Sequence, residues 1–194
     1  MTLLDRDQVV TPLRAVAVTS ANRVRLPTWC NAVVEEQDRW LVLGQGPERA
    51  DDDPEHYANE LALTSIDQLL EAASRSEPAP PGAVLMRRTR PPRLLAVVHD
   101  LERHPTVQSP WVSQALETIM RLANRAGMRG MAMPILGRQS SPHDVEDFAE
   151  LLMDAICSAG PARLRIALLA DPAVTRRVAE TMRERAPQVP VAVE

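Results

Sequence analysis

Three short stretches of this sequence carry residue types that could do chemistry. The first is Gly137-Arg138-Gln139-Ser140-Ser141, followed by Pro142, set between an apolar run and an amphipathic one. A strand, a glycine and a helix N-terminus together hold anions, because the first N–H groups of a helix are free and carry partial positive charge. Glycine lets the backbone come close to a phosphate oxygen and take a positive φ. Arg138 adds a guanidinium fork, and Ser140 and Ser141 add hydroxyls that could replace backbone contacts. The plain alternative is a strand-to-helix turn in which Ser141 caps its own helix and Asp144 completes a capping box.

The second stretch is Gly44-Gln45-Gly46, a Gly-x-Gly after an apolar run. It reads as a ligand-facing loop or an ordinary turn, since an acidic segment and not a helix follows it. The third is His99-Asp100-Leu101-Glu102-Arg103-His104. Its histidines and carboxylates are metal-capable types, but their spacing at a strand end fixes no ligand geometry, and no metal is assigned. Cys30 has no identifiable base, and no Gly-x-Ser-x-Gly elbow occurs. No catalytic residue is therefore assigned, and no cofactor is implied.

The elements that must position these residues alternate. Residues 13–20, 30–36 and 39–44 read as short strands rich in valine and leucine, hairpin-like in their succession. Residues 46–56 form an acidic, proline-punctuated loop, and Leu61, Leu63, Ile66, Leu69 and Leu70 recur at helical spacing over residues 60–73. After the proline-rich connector 74–82, two strands are expected over 83–88 and 93–100. A helix follows from an N-cap at Ser109 with Pro110 to Ala126, stopped by Gly127. Then come a buried strand over 128–136, a helix after Ser141-Pro142 ending at Gly160, a strand over 163–170, a helix from Asp171-Pro172, and a terminal edge strand in Val189–Val193. On the last helix, Arg176 with Glu180 and Arg177 with Glu184 suggest a salt-bridged, solvated face. Nearly all-apolar strands alternating with helices predict an α/β fold, a three-layer α-β-α arrangement with a mixed central sheet.

Composition bounds the function. With 194 residues, 45% apolar and 25% charged, the chain suits one domain spanning 1–194. A net charge of −4, with arginines scattered and lysine missing, argues against general binding of nucleic acid or anionic membrane. Three tryptophans, one tyrosine and one phenylalanine leave little for stacking bases. Two distant cysteines, Cys30 and Cys157, suit a reducing compartment, and neither a signal-peptide pattern nor a membrane-length apolar run is evident, so a cytoplasmic location is expected.

Residues 81–186 resemble the macro domain, the α/β module known for binding ADP-ribose. "PGAVLMRRTRPPRLLAVVHDL" is similar to the macro stretch with a Gly-Glu-Ala-Val strand and then a strand ending Val-Ile-His, which His99 matches. "SQALETIMRLANRAGMRGMAMPILG" resembles the macro helix, turn and strand ending Pro-x-Leu-Gly, matched by Pro134, Leu136 and Gly137. "SPHDVEDFAELLMDAI" and "IALLADPAVTRRVAETM" resemble the following helix and the final strand and helix, with Asp171 at the strand end.

The resemblance implies a site at the C-terminal strand ends, where Gly137–Ser141 and Gly44–Gly46 would face each other. The family's Asn-Ala-Ala-Asn segment, expected after the strand 39–44, is replaced by Gln45-Gly46-Pro47-Glu48. Its Gly-x-Gly-x-x-Gly loop keeps only Gly137, and Thr175 and Val178 occupy the region of the adenine-stacking aromatic residue. The implied function is a divergent, non-catalytic module that binds ADP-ribose or another nucleotide, or serves regulation. The alternatives are an ADP-ribose-processing hydrolase with a rebuilt loop and a structural domain forming a homodimer through its apolar N-terminal strands.

Overall fold

The computed structural model describes residues 15–21, 25–41, 77–138 and 145–193. Seven strands lie in one sheet: β1 (Ala15–Ser20), β2 (Val33–Asp38), β3 (Val84–Arg87), β4 (Arg93–His99), β5 (Gly130–Met133), β6 (Arg163–Leu168) and β7 (Val191–Val193). Their spatial order is β3-β4-β2-β5-β6-β1-β7. All neighbours run parallel except the pair β3–β4. The sheet is thus mixed, as expected, but for a different reason. β1 and β2 form no hairpin: β1 lies between β6 and β7, and β2 between β4 and β5. A hairpin needs a tight turn, whereas parallel neighbours require crossovers, and the chain supplies these with helices.

Three described helices follow: α1 (Ser109–Arg125), α2 (Val145–Ala159) and α3 (Pro172–Arg185). Each presents one apolar stripe. Val112, Leu116, Ile119 and Met120 of α1 are buried, as are Phe148, Leu152 and Ile156 of α2 and Val178 and Met182 of α3. These stripes form one core with alternate sheet residues, including Val16, Val18, Val34, Leu94, Val98, Met131, Ile166 and Leu168. The intervening Leu95, Val97, Ala132 and Ala167 are buried too, so the second face of the sheet is also covered. Burial on both faces explains the continuous apolar runs in these strands. The fold is the three-layer α/β type.

Local chemistry sets the helix ends. Asp171 caps α3, accepting from the N–H groups of Ala173 and Val174 at 3.0 Å each. At the end of α1, Gly127 takes φ +65°. Its N–H reaches Asn124 O, and Met128 N–H reaches Ala123 O at 2.8 Å, the two bonds of a Schellman close. Ser109 is not the N-cap of α1. Gln108 holds the extended capping conformation and makes no side-chain cap bond, while Ser109 is already helical. Pro110 needs no N–H partner in this first turn, so the start is set by the proline and not by a serine cap.

The expected strand over 39–44 is also corrected. β2 runs on to Asp38, Arg39 still donates its N–H to the His99 carbonyl at 3.1 Å, and the chain turns there, with Leu41 at φ +59°. The remaining residues of that stretch, the helix over 60–73 and the Ser141-Pro142 cap lie outside the described residues.

Gly130 opens β5 where no side chain fits. A Cβ there would lie 2.5 Å from the carbonyl oxygen of Trp29 and 2.8 Å from its ring. Because the nearest atom is backbone, Gly130→Ala is expected to destabilise the fold by about 1–3 kcal/mol in equilibrium denaturation. Asp171→Ala should cost about 1 kcal/mol through the lost cap, read in the same measurement.

Candidate functional site

Six of the seven strands run in the same direction, so the chain leaves β2, β4 and β5 at one end of the sheet. β2 and β4 stay paired from Val33↔Arg93 to Asp38↔His99, with a bulge between Gln37 and Asp38. β2 and β5, by contrast, share only the register position Val33↔Ala132. β5 ends one residue after this position, at Met133, and the loop that leaves it reaches β2 again at Gly137.

Glu36 marks the place where these segments meet. Its Oε1 accepts from His99 Nε2 at 2.6 Å and from Gly137 N–H at 2.6 Å. The His99 side chain is fully buried and that of Glu36 is 4% exposed. Gly137 has φ +87°, a conformation that favours glycine and turns its N–H toward the carboxylate. Glu36 Oε2 and His99 Nδ1 are buried without a hydrogen-bond partner. Gln37 is buried as well, with Oε1 unpartnered.

A second polar cluster stands beside the first. Asp100, 1% exposed, accepts from Arg39 at 3.2 Å and pairs with Arg103 at 3.1 Å. Its other oxygen caps the Glu102 N–H at 3.1 Å. Arg39 also lies 3.6 Å from Glu102. The bridge between His99 and Val107 closes this loop onto the sheet. Asp38 turns its Oδ1 onto the Trp40 N–H at 2.6 Å, which fixes the turn that ends β2.

Of the residues singled out by sequence, Gly137 and His99 come together through Glu36, and Arg138 follows as an exposed side chain. Gln139, Ser140, Ser141, Gly44, Gln45 and Gly46 lie outside the described residues. The His99–His104 stretch divides. His99 belongs to the Glu36 pair, Asp100 serves two arginines, and His104 is exposed. Among the described residues no three His, Cys, Asp or Glu side chains gather to hold a metal ion. Nor is any described helix long and apolar enough to cross a membrane. Thr175 and Val178 are buried in the core. On α3, Arg185 reaches Asp154 of α2 at 2.9 Å, and Arg177 reaches Glu146. No ion pair joins Arg176 to Glu180. The packing of α2 against α3 makes these cross-helix partners available.

Glu36, Gln37 and Asp38 are the site residues that sequence reading passes over. The available signal is that the apolar "NAVV" runs into "EEQD" with no intervening glycine or proline. A strand therefore continues through the charges, and it carries them into a buried position.

Solved structures resemble this arrangement. The Oceanobacillus iheyensis macrodomain, in a mutant form with ADPR, is 14% identical over 88% of this chain and 90% of that one, with a TM-score of 0.53. The macro domain of ganglioside induced differentiation associated protein 2 is 12% identical over 89% and 86%, with a TM-score of 0.54. The Trypanosoma brucei macrodomain in complex with ADP is 12% identical over 87% and 69%, also with a TM-score of 0.54. No family model and no curated protein matches the sequence. The chain thus has the fold of the macro domain at very low sequence identity.

Two outcomes follow from these environments. Asp100→Ala removes the buried acceptor of two solvent-reached arginines and of the Glu102 N–H, and is expected to cost about 1–2 kcal/mol in denaturant unfolding. Burial pushes the Cys30 thiol above its ordinary 9.0, only partly opposed by the Arg165 guanidinium. Its alkylation by iodoacetamide should therefore rise with pH about a midpoint higher than that of the same cysteine in the urea-unfolded chain, since the thiolate is the nucleophile.

Proposed function

We propose that this protein is a macro-type module that binds an ADP-ribose-type nucleotide at the C-terminal ends of β2, β4 and β5. It acts as a binding or regulatory component, located in the cytoplasm, without chemistry of its own. One observation supports this reading above the others. In a fold shared with macrodomains that hold ADPR and ADP, Gly137 keeps a left-handed backbone at the strand ends, followed by Arg138. Open α/β sheets take ligands at this edge. In the proposed site Arg138 supplies a guanidinium to the phosphates, and Gln139, Ser140 and Ser141 extend the contact. The Gly44–Gly46 stretch is assigned to the same site on its sequence alone.

Thermal denaturation tests the reading, because a ligand that binds only the folded protein raises Tm by mass action. Millimolar ADP-ribose is expected to raise the Tm of the native protein. The rise should shrink in Arg138→Ala, whose exposed side chain contributes little to the fold. No shift with ADP-ribose, ADP or AMP would overturn nucleotide binding by the native protein. Release of ADP-ribose from a modified protein substrate would overturn the non-catalytic reading.

A further inference from the structure

A backbone N–H on a left-handed glycine at a strand end is suited to an anion. In this chain that N–H already has one. Glu36 Oε1 takes the Gly137 N–H at 2.6 Å and is fixed from the other side by His99 Nε2, also at 2.6 Å. The carboxylate is 4% exposed, held by β2 through its backbone and by β4 through the histidine. Its second oxygen, Oε2, is buried and accepts from nothing. Buried polar atoms without partners are rare in folded proteins and call for a reason.

We infer that Glu36 is a specificity-determining residue, the protein's own occupant of the anion position at Gly137. A phosphate oxygen cannot share this N–H with a carboxylate, because like charges repel strongly where water is excluded. The Gly137 N–H is therefore not open to a phosphate oxygen, and the carboxylate that holds it disfavours a phosphate at that position. A merely structural clamp would account for the two bonds to Oε1 but not for the buried, unpaired Oε2. The inference rests on the site proposed above.

Two variants test it. Glu36→Ala vacates the position, and Glu36→Gln removes the charge while keeping the shape and an acceptor for Gly137. Isothermal titration would compare both with the native protein against inorganic pyrophosphate, ADP-ribose and adenosine. Pyrophosphate and ADP-ribose are expected to bind Glu36→Ala at least about tenfold more tightly, and Glu36→Gln by a smaller factor, with no gain for adenosine. Sodium formate, compared with sodium chloride at equal ionic strength, should raise the Tm of Glu36→Ala and leave the native protein unmoved, because formate refills the vacated carboxylate site.

If Glu36→Ala melts cooperatively yet gains neither formate stabilisation nor pyrophosphate affinity, the inference falls. Weaker ADP-ribose binding in both variants would also overturn it, making Glu36 a direct ligand contact. Should Glu36→Ala fail to fold, the gain or loss in Glu36→Gln decides. ADP-ribose binding by the native protein with no gain in a folded variant overturns the role of Glu36 and leaves the site in place. Binding by the variants alone overturns nucleotide binding by the native protein and supports Glu36 as its cause. Binding by none removes both.

Discussion

One buried carboxylate joins the three segments on which the site is built. Glu36 projects from β2, and its Oε1 accepts from His99 at the end of β4 and from Gly137 in the loop after β5. Beyond Val33 no ladder pairing holds β2 to β5, so Glu36 ties the loop after β5 to β2. Hydrogen bonds to an ionised acceptor are stronger than neutral ones and are worth most where water is excluded. The geometry of the β5 loop thus depends on the position of a single side chain. Both buried partners would be left unsatisfied without it.

The surrounding structure is arranged to keep that carboxylate in place. The bulge at Gln37/Asp38 lets β2 and β4 remain paired while the end of β2 turns away. The Asp38 bond to Trp40 N–H then closes the turn. Asp100, next to His99, neutralises itself against Arg39 and Arg103 and does not add uncompensated charge to the cluster. Beneath the site, Val34, Val98 and Met133 belong to the continuous core under α1 and α2. A parallel sheet buried on both faces provides the rigid floor that a hydrogen-bonded cluster of this kind requires.

Much of the architecture was legible because it follows from local rules. The stop at Gly127, the start at Asp171-Pro172, the buried strands of the second half and the macro-like order of elements could each be read directly. The misreadings have physical reasons. "RWLVLG" has strand composition, but the chain turns over Arg39 and Trp40, closed by the Leu41 N–H on the Asp38 carbonyl, with Leu41 left-handed. Ser109 has the right type for a cap, yet it lies one residue inside the helix. Arg176 and Glu180 have helical pair spacing, but an exposed pair at that spacing gains only a few tenths of a kcal/mol, too little to fix two flexible side chains. The arginines of α3 that face α2 instead found carboxylates there, at Glu146 and Asp154.

By itself the sequence determined the class of fold, because apolar periodicity, caps and glycine stops act over a few residues. It also placed Gly137 at a strand end, since the turn needs that backbone. Only the tertiary structure decided what Gly137 faces. Glu36 lies about a hundred residues earlier, at the end of the expected strand over 30–36. Parallel pairing with β4, set by a register that no local pattern encodes, buries that carboxylate beside His99 and against the glycine N–H. The chemistry of the proposed site arises from this long-range placement of one acidic residue.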